Sequence, residues 1–399
     1  MNPPRLVPGD EIARRIQALQ ECLALSSIDL ALIRQNADLY YFTGTVQDSH
    51  LLVPVEGEPL LLVWRSIDRA REESPLARIA PLPSLNSLSR ILAEQGIPMP
   101  KRLGLEMDCL PAALYLFYTE KVWAQAEAVD VSPLVRGLRA VKSLWEIERI
   151  RSACRQIAQV FSRVPDFLRP GVSELALSAE IERELRLRGH PGFIRMRGWT
   201  QEFGSAQVLS GPEGAVPAWT NTPGGGRGIG PAFGVGACAR RIGVGEPVSV
   251  DMGGLFDGYH SDMTRLFFLG TPPTSLVDAY KAVLHVHRGI QDRLAPGAVS
   301  GEIYSWAVEE MGRLGHADHF MGISGSQVAF VGHGLGVEID EYPFLSRRNK
   351  MILEPGMVIA VEPKLALPGV GLVGIEDTFL VTEKGAEMLT QGGQDICIL

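Results

Sequence analysis

Hydrophobic positions in the first third of the chain alternate between helical and strand-like spacing. Residues 11–25 carry apolar side chains at helical intervals, and a short apolar run, Leu30–Ile33, follows them. Two further apolar runs, 51–55 and 60–64, are separated by a segment that contains Gly57 and Pro59, which is typical of a hairpin turn. The order of these elements predicts a small α/β domain over residues 1–140.

A new pattern begins near residue 140. Ser143 and Glu146 have the spacing of a capping box, which marks the start of a helix. Beyond it, two helical segments precede a strand-like segment, and the same order then recurs: 144–168, 173–188 and 247–268, then 275–294, 300–314 and 357–382. This repeat predicts one domain with internal pseudo-symmetry over residues 141–399. The expected fold class is therefore α/β (α+β) with two domains.

Composition and charge narrow the functional classes. The net charge is -8 and no long basic run offsets it, which argues against nucleic acid and against an anionic membrane surface as partners. No apolar run approaches the roughly 18 residues that a membrane-spanning helix needs. The five cysteines are scattered without C-x-x-C spacing, and Met1 to Arg5 contain no apolar leader region. These features predict a cytoplasmic protein with reduced cysteines.

Acidic residues interrupt the first pair of strand-like runs. Asp251 follows Val248-Ser249-Val250, and Asp262 lies within the next run, beyond a turn signal at 256–258. A tight turn centred on Phe256 and Asp257 would place Asp251 directly opposite Asp262, on the same face. The sequence therefore predicts two facing carboxylates in an otherwise apolar hairpin.

The second pair of strand-like runs has the same construction. A turn over 368–371 places Glu362 opposite Glu376. Like charges that face each other in a sheet are destabilising, and a buried carboxylate without a partner costs several kcal/mol. Divalent cations remove that cost, and two cations suit four carboxylates better than one.

His333 completes a candidate metal site because it stands between Gly332 and Gly334, which leave room around its ring. Carboxylate and imidazole donors suit Mn, Co, Fe or Zn better than thiolate-seeking metals. Any one of these acids alone is more commonly a solvated strand residue, so the prediction depends on their joint occurrence. The predicted metal ligands are Asp251, Asp262, His333, Glu362 and Glu376.

These motifs resemble those of the pita-bread metallopeptidases, which include prolidase, aminopeptidase P and methionine aminopeptidase. The family motif D-x-G-x-x-x-x-G-Y-x-x-D-x-T-R is matched from Asp251 to Arg265. The H-G-x-G motif is matched at His333, the E-P motif at Glu362, and the I-E-D-T motif from Ile375. The length is typical of the two-domain creatinase and Xaa-Pro dipeptidase branch.

The resemblance implies a function and a set of roles. Family members hold two divalent metals that activate water for hydrolysis, and the glutamate at the position of Glu362 also acts as a general base. The N-terminal domain of related enzymes helps to form a homodimer, which we expect here too. A small peptide or amide is the expected substrate.

Four positions depart from the family pattern. Histidines that usually occur in this family are replaced by Ala218, Ala329 and Asp340, and a frequent arginine is replaced by Gly374. Loss of an oxyanion donor costs about 10² to 10³ in rate, so an altered specificity is expected. Asp340 is the candidate catalytic residue because an ionised carboxylate can accept a proton or attract a cationic substrate group.

Two other functions fit the same residues. A metal-dependent lyase would use Asp340 to abstract a proton during β-elimination. A non-catalytic binding protein is the other alternative, although such relatives often lose metal ligands and this chain keeps all five. The leading interpretation is a dinuclear metallopeptidase-like hydrolase.

Overall fold

A computed structural model of the chain describes residues 6–399. Contacts between Cα atoms divide the chain into two compact units, one up to Arg139 together with Arg197–Trp199, the other comprising Ala140–Met196 and Thr200–Leu399. The predicted lack of an apolar leader region concerns residues 1–5, which lie outside the described residues. Among the helices from residue 6 onward, none has the length and apolar character needed to cross a membrane.

Helices and strands alternate in the first unit. Its helices are α1 (Gly9–Leu25), α2 (Asn36–Thr43), α3 (Ile67–Glu73), α4 (Leu88–Glu94), α5 (Ala112–Phe117) and α6 (Ser132–Ala140). Its strands are β1 (Leu30–Ile33), β2 (Ser49–Pro54), β3 (Leu60–Val63), β4 (Ile79–Pro81), β5 (Arg102–Leu105) and β6 (Glu127–Asp130). They form one mixed sheet in the order β4-β3-β2-β1-β5-β6, in which β2 is antiparallel to β1 and β3 and the other neighbouring strands are parallel.

A buried ion cluster fixes Arg197 within the first unit. Its guanidinium lies 2.6 Å from carboxylate oxygens of both Asp38 and Asp108. Asp38 also pairs with Arg139, and although burial raises the pKa of Asp38, the two arginines hold it well below its usual range. The guanidinium of Arg197 therefore serves the structure of this unit.

The second unit contains the predicted repeat of helices and strands. Its helices are α7 (Leu144–Phe161), α8 (Val164–Phe167), α9 (Glu174–Leu187), α10 (Thr274–Gln291) and α11 (Ser300–Arg313). Its strands are β7 (Ala206–Ser210), β8 (Pro247–Phe256), β9 (Tyr259–Phe268), β10 (Phe330–Gly334), β11 (Glu341–Ser346), β12 (Val358–Val361), β13 (Lys364–Leu367), β14 (Gly371–Gly374), β15 (Asp377–Thr382), β16 (Gly385–Met388) and β17 (Cys397–Ile398).

Local sequence explains how the first helices of this unit start and stop. The predicted capping box is present, since Ser143 Oγ accepts from the Glu146 amide at 3.2 Å and Glu146 Oε2 accepts from the Ser143 amide at 3.1 Å. The helix expected to run to residue 168 ends at Phe161 instead. Pro165 explains this difference, because proline is tolerated in the first turn of a helix, here α8, but not in a helix interior.

Strands of the second unit bury one face and leave the other for polar groups. Strands β17-β9-β8-β7 form one sheet, β11-β10-β12-β15-β16 a second, and β13-β14 a short ribbon. Val248, Val250 and Met252 on β8 pack in one core with α7 and α9, and residues of β12 and β15 pack in another with α10 and α11. Because side chains alternate along a strand, Asp251 and its same-face neighbours point away from the helices.

Buried His50 gives the first unit a pH-dependent stability. Burial and the nearby Arg34 lower the pKa of His50 from 6.5 to about 3. The neutral ring is consistent with its contacts, because Nε2 lies 2.8 Å from the Tyr118 hydroxyl and Nδ1 faces the Arg34 guanidinium at 3.4 Å. The unfolded chain therefore takes up a proton on His50 below pH 6.5, whereas the folded chain does not.

We predict that His50→Gln weakens the loss of stability on acidification. The folded pKa is depressed, so the contribution of His50 is present above pH 6.5 and is lost as the pH falls towards the folded pKa. Between pH 7.5 and 5 the wild type should lose about 2 kcal/mol more unfolding free energy than the variant. Urea unfolding at both pH values measures the difference, and parallel losses in the two proteins would contradict it.

Candidate metal centre

The first hairpin places Asp251 and Asp262 on one face, but not in the predicted register. Asp251 pairs with Thr264, and Asp262 pairs with Gly253. The prediction that the two aspartates lie directly opposite each other is therefore wrong. Each aspartate faces a position two residues away from the other aspartate. The turn is Asp257-Gly258, with φ values of 49° and 84°, rather than Phe256-Asp257. Both central positions of this turn require positive φ, which a phenylalanine resists and a glycine accepts.

The second pair of strands keeps the predicted register. Val361 pairs with Asp377 on one side, and Lys364 pairs with Gly374 on the other. Glu362 and Glu376 therefore lie opposite each other where the ladder is interrupted between these pairs. The register was predictable because the glycine-containing turn at 368–371 fixes it.

Thr264 and Arg265 join the two hairpins at the site. The amides and carbonyls of Thr264 and Glu376 exchange hydrogen bonds at 3.3 and 3.2 Å, and Thr264 Oγ1 donates to Glu376 Oε2 at 2.8 Å. Arg265 donates to the carbonyl oxygen of Glu376 at 2.8 Å and to Asp377 Oδ1 at 2.7 Å. These bonds hold the Glu376 carboxylate against the first hairpin.

Four of the five predicted ligands lie close together, with His333 near three of the carboxylates. His333 Nε2 lies 3.6 Å from Glu362 Oε1, 3.9 Å from Asp262 Oδ2 and 4.0 Å from Glu376 Oε1. One donor atom from each of Asp262, His333 and Glu376 lies within 4.8 Å of the other two. Donors held about 2 Å from one ion lie about 3 to 4 Å apart, so this donor set fits a divalent cation.

Asp251, the fifth predicted ligand, contacts a lysine that the sequence analysis missed. Lys364 Nζ lies 3.0 Å from Asp251 Oδ2, 2.8 Å from Glu362 Oε2 and 3.2 Å from Glu376 Oε2. Lys364 is only 2% exposed. A sequence signal was available, because Lys364 follows Glu362 by two residues in an apolar stretch and so shares its face.

The electrostatics of the site follow from burial and crowding. Burial raises the pKa of Asp262 well above its ordinary range, and the charges of Glu376 and Asp251 raise it further. Burial also raises the pKa of Glu376 to about 8, with Lys364 opposing the change. Burial alone lowers the pKa of Lys364, but Asp251, Glu362 and Glu376 outweigh it and raise that pKa well above its ordinary value.

The clustered donors form the polar floor of a cavity of about 210 Å³ in the second unit. Its apolar wall consists of six side chains: Ile194, Met196, Phe203, Phe330, Ile339 and Phe344. Asp340 lines the same cavity from the connection between β10 and β11. Its neighbour Glu341 anchors that connection by accepting from Lys142 Nζ at 3.1 Å and from the Glu338 amide at 3.0 Å.

The other positions that depart from the family pattern do not line this cavity. Ala329 is exposed at the edge of β10, and Gly374 is buried beneath the side chain of Lys364. Ala218 packs against Gly225 in the long loop before β8. His260, two residues from Asp262, is held by the Gly336 carbonyl at 3.2 Å and the Arg195 amide at 3.1 Å, so its ring stabilises the backbone.

Buried carboxylates and a histidine that line one cavity of the second unit are the donor types of a divalent-metal site. Residues 148–383 match the model of metallopeptidase family M24, and residues 15–141 match the creatinase/prolidase N-terminal domain. The chain therefore belongs to metallopeptidase family M24. The match confirms both the predicted resemblance and the two-domain fold class.

Full-length relatives agree with this assignment. The chain is 28% identical to an Xaa-Pro dipeptidase of Pyrococcus furiosus, over 96% of this chain and 99% of that protein. It is 29% identical to an uncharacterized peptidase of Bacillus subtilis, over 96% and 100% of the two chains. An Xaa-Pro dipeptidase structure from Bacillus anthracis superposes with a TM-score of 0.82 at 27% identity, covering 97% of this chain and 100% of that one.

We predict that a divalent metal stabilises the protein through His333. Mn²⁺ added to chelator-treated protein at 100 times its dissociation constant should raise the unfolding free energy by about 2.7 kcal/mol. Thermal unfolding with and without Mn²⁺ measures the effect, and His333→Ala should abolish it. His285→Ala is the matched control, because His285 is exposed on α10 and should leave the metal response intact. An equal response in both variants would exclude His333 as a ligand.

Proposed function

We propose that the protein is a metal-dependent hydrolase of small peptides or amides, related in activity to the Xaa-Pro dipeptidases. One observation carries this proposal: side-chain donors of Asp262, His333, Glu362 and Glu376 converge at the floor of an apolar-walled cavity. The peptidase relatives and the family membership support it. The small cavity favours a short substrate over an extended polymer.

The same donors are the proposed metal ligands. Asp262, His333, Glu362 and Glu376 would hold a divalent ion, and their oxygen-rich chemistry suits Mn, Co, Fe or Zn. When bound, such an ion polarises a carbonyl group and activates water at neutral pH. The five predicted ligands, which include Asp251, are numerous enough for two ions. However, Oδ2 of Asp251 contacts the ammonium of Lys364 at 3.0 Å.

The chain's own groups would orient the substrate and move protons. Glu362 is the proposed general base, because its carboxylate is buried at the cavity floor and is oriented by Lys364 at 2.8 Å. The aromatic wall would hold an apolar side chain or a proline ring, while the acidic floor would attract a cationic amino group. This division into an apolar wall and an acidic floor favours small peptides with a free N-terminus.

Asp340 is the proposed determinant of altered specificity. The family's usual histidine at this position can donate a hydrogen bond to an oxyanion, whereas an ionised Asp340 can only accept one. Its carboxylate would therefore accept a proton or bind a positively charged substrate group. Asp340 lines the cavity together with Glu362, which supports a direct role in the reaction.

The remaining expectations complete the proposal. We assign residues 1–140 to the N-terminal domain and 141–399 to the catalytic domain, and we expect a cytoplasmic homodimer. The lyase alternative would also use Asp340, but the comparisons with known proteins give it no support. A hydrolytic reaction is therefore the function to test first.

The proposed activity predicts release of free amino acids from dipeptides. Metal-loaded protein should hydrolyse members of a dipeptide panel with and without proline at the second position, and chelation should abolish turnover. Amino-acid analysis of the products measures this outcome. An unsaturated product would indicate β-elimination instead, and metal-loaded protein without turnover would favour a binding function.

We predict that Asp340→Ala lowers kcat/KM by about a hundredfold or more, as expected for the loss of a group that transfers a proton or holds the substrate. Metal content should not change, because Asp340 is not among the clustered donors. Steady-state kinetics and metal analysis of the same sample measure the two effects. Asp278→Ala is the matched control, because the Asp278 side chain is exposed on α10. Wild-type kcat/KM in the Asp340 variant would remove this residue from the mechanism.

A further inference from the structure

The carboxylate oxygens of the site are divided between two cation positions. Oε1 of Glu362 and Oε1 of Glu376 face His333 Nε2 at 3.6 and 4.0 Å. Oε2 of the same two glutamates faces Lys364 Nζ instead, at 2.8 and 3.2 Å. Both glutamates thus bridge a position beside His333 and a position filled by an ammonium group.

The second position has the donors of a metal site but contains a fixed positive charge. Asp251 Oδ2 joins the two glutamate oxygens there, at 3.0 Å from Lys364 Nζ. We propose that Lys364 takes the place of a second metal ion, so that each chain binds one divalent cation, at Asp262, His333, Glu362 and Glu376. Lys364 is then a positioning residue that orients Asp251, Glu362 and Glu376.

Packing confines Lys364 to this position. Its side chain is only 3% exposed, so its ammonium is buried against the carboxylates. The stem of the side chain runs over Gly374, where an added Cβ atom would lie only 2.3 Å from Lys364 Cγ. Glycine at 374 therefore provides the space that the lysine stem occupies.

The buried position of the ammonium also opposes a second ion. Lys364 Nζ contacts Glu362, Asp251 and Glu376 at 2.8, 3.0 and 3.2 Å, and so occupies the place in which their oxygens would hold a metal. Moving the ammonium away would cost it these ion pairs, which is strongly unfavourable for a buried charge.

Metal stoichiometry tests this inference, which rests on the proposed metal-dependent function. Wild-type protein equilibrated with excess Mn²⁺ and then freed of unbound metal should contain about one ion per chain, and Lys364→Met about two. The Mn²⁺ EPR spectrum should show an isolated ion in the wild type and an exchange-coupled pair in the variant. Methionine fills a similar space, and its thioether has little affinity for Mn²⁺.

A second variant keeps Lys364 and fills the space that its side chain occupies over Gly374. Gly374→Ala should displace the Lys364 stem and raise the bound Mn²⁺ above one ion per chain, since a Cβ atom at 374 cannot coexist with the present stem. Lys281→Met is the control, because Lys281 is exposed on α10 and should leave the stoichiometry at one. If Lys364→Met does not fold, the wild-type value and Gly374→Ala still decide the outcome.

The possible results separate this inference from the proposed function. Two ions in the wild type would overturn the role of Lys364 and leave the hydrolase proposal standing. One ion in the wild type without dipeptide hydrolysis would support the role of Lys364 and count against the hydrolase. An unchanged single ion in both variants would overturn the role of Lys364, and absence of bound metal in all proteins would overturn both proposals.

Discussion

Repulsion among buried carboxylates is the interaction around which the second unit is organised. Asp262, Glu362 and Glu376 are each less than a tenth exposed, and Asp251 lies beside them. Such a cluster is unfavourable unless positive charge is supplied within a few ångströms. Lys364 supplies part of that charge, and the donors of Asp262, His333 and Glu376 lie at separations that fit a divalent cation.

The surrounding structure holds these charges in place by using the two faces of each strand differently. Alternate residues of β8 and β9 pack against α7 and α9, while the residues between them carry the acids. Thr264 and Arg265 then connect the first hairpin to the backbone of Glu376. A rigid apolar core on one face therefore keeps the acidic cluster on the other face from spreading apart.

Lys364 and Gly374 together determine where positive charge lies in the site. They pair across β13 and β14, so the stem of one lies over the other. Gly374 leaves room for the lysine stem, and the ammonium of Lys364 brings a positive charge to Asp251, Glu362 and Glu376 from the facing strand.

Sequence patterns were enough to predict the fold class, the capping box at Ser143, the register of the Glu362 and Glu376 strands, and which acids share a face. These features depend on local periodicity and turn chemistry, which neighbouring residues encode. The predicted register of the first hairpin was wrong, because the turn lies at Asp257-Gly258 and not at Phe256-Asp257. The choice between these adjacent turns depends on which residues tolerate positive φ.

The position of the Lys364 ammonium and the oxygens that face His333 could not be predicted from the sequence, because they depend on contacts between distant strands. Residues from β8, β9, β10 and both sides of the β13-β14 ribbon meet at the site, and their separations depend on how distant strands pack. Sequence spacing fixes which face a side chain takes within one strand. It does not fix the distance of a few ångströms across strands that decides whether a cation position belongs to a metal or to a lysine.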